Sequence, residues 1–487
     1  MRLWIRGFIC FSLYTLVSCT VSLPQQSQIK NIKTVPSMRH SIKKSLQKKE
    51  IFSKGKWPSK QWWLSYNDPE LNILVTEALA KNPSIHEMKS RIEVAKQQAI
   101  VTRSLLAPLV FFNAHENRQY VSKNGLYRAF NPKFPLNVRL LDLSLSFTYE
   151  FDFWGKNRNL FYAALGEAKF QEAETAEVEL ITSTAIAQAY FAYKTNRVRK
   201  KLYTQLIEVR QKIAKLQNLL VKKGLSSKLP ALETSEKLIE SQKLLSSITN
   251  ELAANKHLIN TLAGRGPDNP LLINSTLSSL PKTLNIPQLL PLDFLARRPD
   301  LMAQIWRAKA LAYKTGAAMA EYYPDINLVG LIGLESTSWR KFFDLSSGTA
   351  AIRPALQLPI FTAGAIRANI KATKAQFDAA IDAYNNLLLY STQEVLDVLA
   401  FAEDIYQQKI EQKKVVEYAK QRYQLSHLRQ QKGLDNLFDL YFLQEEVIQK
   451  ELADVTLLYN QYLASIKLTK ALGGGYYQNT IPLVKNS

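Results

Sequence analysis

Leu143, Leu145, Phe147, Tyr149, Phe151 and Phe153 alternate with Ser144, Ser146, Thr148, Glu150 and Asp152. Apolar residues at every second position predict a strand with one apolar face and one wet face. In a transmembrane barrel those faces meet lipid and lumen. Weaker alternations predict three more strands, at Leu109 to His115, Asp325 to Leu334 and Ile352 to Phe361. Most of the remaining chain has helical spacing. Asp68-Pro69-Glu70 is a helix start: Asp can cap, Pro suits the first turn, and Glu favours the positive end of the dipole. Leu71, Leu74, Val75 and Ala78 continue it at helical spacing. From Gly155 to Gly224 there is no Pro, and Gly166 is the one internal Gly. The stretch from Gly364 to Gly433 is also free of Pro and rich in Ala early on. At 1.5 Å per residue each run predicts a helix roughly 100 Å long. Small residues permit close helix approach, and a sustained stripe favours coiled-coil packing. Gly accepts the left-handed conformation that ends helices. The steps Lys223-Gly224-Leu225 and Lys432-Gly433-Leu434 are therefore predicted hairpin tips, with return helices over about residues 229–262 and 437–472.

These landmarks occur twice. Pro83 and Pro108 stand 25 residues apart, as do Pro299 and Pro324. Gly155 to Gly224 and Gly364 to Gly433 are both 69 residues. Leu262-Ala263-Gly264 and Leu472-Gly473-Gly474 close the two halves. Two copies of one long element pattern predict a pseudo-symmetric object rather than an enzyme with one cleft. The first repeat spans residues 57–264 and the second 299–475. A Pro-rich segment at 265–298 joins them, expected to wrap the outside of the helices, and a tail follows at 476–487. Two strands per half give four per chain, too few to close a barrel, which needs about eight or more. Lipid tolerates no open sheet edge. Strands that span a membrane would therefore be shared among chains, and three chains would supply twelve.

A chain of 487 residues exceeds one compact core. No internal stretch reaches ~18 uncharged apolar residues, so no membrane-spanning helix is expected after the N-terminus. The net charge of +22 is spread along helical segments among Glu and Gln, as on solvated faces. One cluster lies within residues 30–56, either a solvated linker or a contact for anionic lipid or a peptidoglycan-like polymer. No nucleic-acid motif accompanies it. At the start, Arg2 and Arg6 precede a ten-residue apolar run, Phe8 to Val17, too short to span a bilayer. It ends in Leu16-Val17-Ser18-Cys19, which resembles a bacterial lipobox. Residues 1–18 are then a signal peptide, Cys19 carries acyl chains, and 19–56 is a lipid-anchored basic linker. Thr20 in place of Asp favours sorting to the outer membrane. An ordinary signal peptide with an incidental Cys is the alternative. Cys10, the other cysteine, lies in the removed segment, so no disulfide is expected. Five scattered histidines, no phosphate loop and no triad-like spacing point to no catalytic site, no metal and no cofactor.

Three segments carry a family resemblance: Trp62-Trp63-Leu64-Ser65-Tyr66-Asn67-Asp68-Pro69-Glu70-Leu71, Ala296-Arg297-Arg298-Pro299-Asp300-Leu301, and Leu358-Pro359-Ile360-Phe361-Thr362-Ala363-Gly364. With Leu472-Gly473-Gly474-Gly475-Tyr476, they resemble the TolC-like outer membrane factor family, in its lipidated OprM/NodT-type branch serving RND efflux pumps. The resemblance covers about residues 57–477. It implies an α+β membrane protein acting as a homotrimer. Four strands per chain form a 12-stranded outer-membrane β-barrel, continued by a long periplasmic α-helical barrel of coiled-coil hairpins. Its implied partners are a periplasmic adaptor (membrane fusion) protein, an inner-membrane RND-type pump and outer membrane lipid.

The resemblance further assigns adaptor contact to the tips, at Gly224, Leu225, Gly433 and Leu434, though these glycines also serve simply to turn the chain. It assigns the periplasmic gate to Asp435 and Asp439, which are otherwise solvated tip residues. A ring of three like charges resists closure unless hydrogen-bonded, protonated or bridged. Arg297, Arg298 and Asp300 are expected to be structural, the arginines in local ion pairs. Tyr120, Tyr127, Phe130, Trp339, Phe342 and Phe343 would suit an interfacial girdle or the outer mouth. The same duct serving type I protein secretion, and a non-conducting lipid-tethered periplasmic spacer, are the competing functions.

Overall fold

The computed structural model describes residues 33–478, apart from 274–276, 278–279, 282 and 288–289. The signal peptide, Cys19, the linker up to residue 32 and the tail from 479 lie outside the described residues. The first elements are helix α1 (Arg39–Gln47), strand β1 (Phe52–Gly55), and helices α2 (Pro69–Lys81) and α3 (Pro83–Ser104). Strand β2 (Leu109–Tyr120), helix α4 (Leu126–Phe130) and strand β3 (Asn137–Phe151) lead to α5 (Lys156–Lys222) and α6 (Lys228–Leu262). Next come β4 (Leu284–Pro287), α7 (Leu290–Arg297), α8 (Pro299–Ala320), β5 (Asp325–Ser336) and β6 (Gly348–Gln357). The chain ends in α9 (Ala365–Gln431) and α10 (Leu437–Ala471). It forms two compact units, one of residues 91–171 and 304–384, the other of residues 34–90, 172–303 and 385–478.

The first unit holds an antiparallel sheet in the order β2-β3-β5-β6. Its register gathers apolar side chains on one face and most of the polar ones of β3 on the other. One face carries the rungs Val110–Phe147–Gly330–Ile352 and Phe112–Leu145–Ile332–Ala350. Tyr149, Leu328 and Pro354 extend it one way, and Ala114, Leu143 and Leu334 the other. The opposite face is mixed: it carries Asn113–Ser144–Gly333–Thr349 and His115–Asp142–Glu335, and also Phe111–Ser146–Leu331–Ala351 and Leu109–Thr148–Val329–Arg353. There Asn113 Nδ2 donates to Ser146 Oγ at 2.9 Å and Ser144 Oγ to Asp142 at 2.8 Å. Gly330 is required by its neighbour: an added Cβ would stand 2.2 Å from the Phe147 ring.

The strand ends differ from the alternation. β3 starts at Asn137 and stops at Phe151, so Phe153 lies beyond it. The cause is Asp152, whose carboxylate accepts the Asn157 and Arg158 N–H groups at 3.0 and 2.9 Å and so caps α5. β6 runs from Gly348 to Gln357 rather than from Ile352 to Phe361. Its last rung pairs Gln357 with Asp325, the first residue of β5, so Leu358, Ile360 and Phe361 have no ladder to join.

In the second unit, α2 starts where Asp68 accepts the Glu70 and Leu71 N–H groups. Its apolar stripe packs into a core with Trp62, Trp63, Tyr66, Ile186, Tyr190, Phe191, Tyr462 and Ile466. The helices α5 and α9 have 67 residues each, and the helices that follow them 35 each. Along one seam, Leu202, Leu206, Val209 and Ile213 of α5 meet Phe438, Tyr441, Ile448, Leu452 and Val455 of α10. Alternating steps of three and four residues are the coiled-coil pattern. Glu445 occupies the missing apolar place in the α10 stripe. It accepts from Arg210 Nε and Nη2 at 3.0 and 2.7 Å. Such a polar layer fixes register more than it stabilises.

Two features were absent from the expected pattern. The basic segment contains α1 instead of being linker throughout, and its Lys48 pairs with Glu403 of α9. β1 and β4 form a two-stranded parallel sheet, pairing Phe52 with Leu284.

Candidate functional site

The two hairpin tips are built alike. At the end of α5, Gly224 has φ +70°, its N–H donates to Val221 O, and the Leu225 N–H reaches back to Leu220 O at 2.9 Å. At the end of α9, Gly433 has φ +73°, its N–H donates to Gln430 O, and Leu434 N–H reaches Arg429 O at 2.9 Å. A left-handed glycine with these paired reach-backs ends a helix by satisfying its last carbonyls. Both turns leave a leucine outside, Leu225 at 70% and Leu434 at 65% exposure. A Cβ on either glycine would meet nothing within 4 Å, so the glycines answer to backbone conformation and not to crowding.

Beyond these steps the tips diverge. After Gly224 come Ser226 and Ser227, with Ser226 Oγ accepting from Gln217 Nε2 at 2.7 Å. After Gly433, Asp435 accepts from Arg429 Nε at 2.8 Å, pinning the loop to the last turn of α9. Asn436 caps α10 by accepting the Asp439 N–H at 2.9 Å. Asp439 therefore sits in the first turn of α10, where a carboxylate is favoured by the helix dipole. The Asp439 side chain is exposed, whereas Asp435 is partly covered.

Arg298 is a buried node. It makes a bidentate pair with Asp300 at 3.0 and 2.7 Å and reaches Glu394 at 2.8 Å and the Ala471 carbonyl at 3.0 Å. Arg297 departs from the expected ion pair: its guanidinium lies over the Tyr477 ring at 4.1 Å and the Trp57 ring at 5.4 Å. The C-terminal turn packs close against this segment, a Cβ on Gly473 coming 1.8 Å from the Arg297 carbonyl oxygen, and Tyr477 just beyond that turn supplies the ring the guanidinium covers. Near the Arg298 node, burial and the Asp300 charge push the Glu177 carboxyl up to about 7, against the pull of Arg298 and Lys470.

The sheet rim gathers the aromatic residues. Tyr120 ends β2, and Tyr127 stacks on Phe134 at 5.1 Å in the segment before β3. Trp339, Phe342 and Phe343 make edge contacts between β5 and β6, with Phe342 buried and the other two exposed.

Two polar devices escaped sequence reasoning. Asp68 and Lys194, each with a 2% exposed side chain, pair at 2.9 Å, and Tyr190 donates to the same carboxylate at 2.7 Å. Nothing local marks Lys194 as buried. Arg210–Glu445 could have been found, since Glu445 interrupts an otherwise apolar stripe in α10.

Residues 74–265 and 290–474 match the outer membrane efflux protein family. The multidrug resistance outer membrane protein MdtP of Escherichia coli (strain K12) is 27% identical over 431 residues, 86% of this chain and 87% of that protein. The outer membrane protein VceC of Vibrio cholerae shares the fold with a TM-score of 0.76 at 28% identity, over 86% of this chain and 100% of that one. The MtrE outer membrane channel of Neisseria gonorrhoeae, in its open state, has a TM-score of 0.78 at 22% identity, over 94% and 99% of the two chains; this last likeness concerns the fold alone. The family match spans both long hairpins and the strands between, so the chain belongs to the outer membrane efflux protein family and works as an outer-membrane exit duct.

Proposed function

We propose that three copies of this chain assemble into a passive duct, with a shared 12-stranded barrel and a periplasmic helical tube built from two repeats per chain. The observation that carries this reading is the sheet. It has an apolar face, a face of mixed polarity, and two edges, β2 and β6, with no partner strand among the described residues. In lipid such edges must be paired by other copies. The matched helix lengths and tip geometry support the two-repeat reading.

An inner-membrane RND-type pump and a periplasmic adaptor supply energy and substrate, and the adaptor contacts the tips through Leu225 and Leu434. Cys19 carries the lipid anchor. Asp435 and Asp439 form acidic rings near the axis that govern closure. The Arg429–Asp435 pair supports a closing role for this tip, because it holds the loop against α9. Single-channel conductance in planar bilayers tests the reading. The wild type is expected to give small, mostly closed currents, and an Asp435→Ala/Asp439→Ala variant larger and longer ones. Unchanged currents in the variant would remove the gate assignment and keep the duct. A folded trimer without pores would leave a periplasmic spacer.

A further inference from the structure

We infer that the outer rim of the sheet binds the phosphate of an outer-leaflet glycolipid through Arg118 and Arg139. The inference rests on the duct reading, in which the apolar face meets lipid. On that face β3 carries Phe151, Tyr149, Phe147, Leu145, Leu143 and Leu141 in succession, the last of them buried within the chain. A strand rises ~3.3 Å per residue and a barrel strand tilts ~35–45°, so this row spans roughly 25 Å along the membrane normal, the height of the lipid-facing band. The next residue of β3 on the same face is Arg139, and directly opposite it on β2 stands Arg118. Both lie at the end of the sheet joined by the rim segments, away from the strand ends that lead into α5 and α9. They therefore stand just past the outer edge of the hydrocarbon, at headgroup level.

Two like charges directly opposite each other destabilise a strand pair unless something answers them. Glu116, two residues before Arg118, answers in part: its Oε1 accepts from Arg118 Nε at 2.6 Å and lies 3.0 Å from Arg139 Nε. One carboxylate against two guanidiniums leaves a net positive charge. Among the described residues, no hydrogen bond or ion pair engages the Nη groups of either arginine. Their side chains are 67% and 40% exposed. Guanidinium forks favour phosphate oxygens, taken two at a time. Tyr120, the next residue of β2 on this face, adds an aromatic ring with a polar tip, suited to the same depth. An acylated, phosphorylated sugar lipid satisfies all three features: its chains cover the apolar row, its phosphate bridges the arginines, and its sugar meets the tyrosine.

The test is native mass spectrometry of the full-length trimer in detergent. Two probes are compared, a hexa-acylated diglucosamine lipid with two phosphates and the same lipid without phosphate. The wild type is expected to prefer the phosphorylated lipid by roughly tenfold or more, as charge-assisted hydrogen bonds imply. In an Arg118→Gln/Arg139→Gln variant the preference should fall toward unity while pore conductance persists. A wild type that forms pores but holds both lipids equally overturns the inference and leaves the duct. A pore-forming variant that keeps the full preference also overturns it. A wild type without pores overturns the duct reading, and this inference with it.

Discussion

Glu177 shows how one side chain carries information that no motif reveals. Burial and the nearby Asp300 carboxylate raise it from the ordinary 4.5 to about 7. The native state then binds its proton more tightly than the unfolded chain between those two values. Stability is greatest below that window, falls as pH rises through it, and levels off above about 7. The wild type should therefore unfold at a lower temperature at pH ~8 than at pH ~5, and Glu177→Gln should narrow that gap. A gap of the same size in the variant would place the pH dependence elsewhere. At this scale the sequence is legible only where chemistry is local. Asp68 could be recognised as a cap because its partners, the Glu70 and Leu71 N–H groups, follow it directly. Its second oxygen, held by Lys194 and Tyr190, depends on a contact across more than a hundred residues. The tip glycines were legible for the same local reason, whereas the pairing of Asp435 with Arg429 needed the turn geometry.

At the level of elements, long helices are easy to foresee, because each residue bonds to one four places away and the absence of Pro over a long run suffices. Strand ends are harder, because a strand stops where its neighbour stops. β6 ends at Gln357 although apolar residues continue, since β5 has no residue before Asp325 left to pair. β1 and β4 were invisible because each has only four residues, and the pair is joined across more than two hundred. Within the sheet, Gly330 makes room for the Phe147 ring. Gly330→Val should cost about 1–3 kcal/mol through overpacking. It should lower the temperature at which the proposed trimer dissociates on semi-denaturing gels, and Phe147→Ala in the same chain should recover part of the loss. No recovery would mean that the ring is not what the glycine accommodates.

For the whole molecule, the two-faced sheet sets a directional expectation. A charge on the lipid side of a barrel costs about 2–4 kcal/mol near the midplane, whereas lumen changes tune selectivity. Phe112 and Ser146 lie on opposite faces of neighbouring strands. Phe112→Asp should sharply reduce the protein recovered from the outer membrane, and Ser146→Asp should leave it near the wild-type level while shifting ion selectivity toward cations. Equal losses from both would argue that the sheet has no lipid side. Net charge alone says little at this scale: the positive residues behind the +22 are spread along helix faces, some of them beside acids as in Lys409–Asp454 and Arg422–Glu446, and mark no single polyanion site.

The matched hairpin arms have an engineering consequence. Adding one residue to α5 just beyond the Arg210 layer would move everything distal to it by 1.5 Å and turn it by about 100°, swinging Ile213 and the turns that follow it away from α10. Adding seven turns the helix to within about 20° of its starting orientation. Length in this protein is therefore quantised. Hairpins extended by whole heptads, equally in α5, α6, α9 and α10, should keep their seams and carry the tips farther in steps of ~10 Å. Such a ladder of variants would be a ruler for the distance the duct must span.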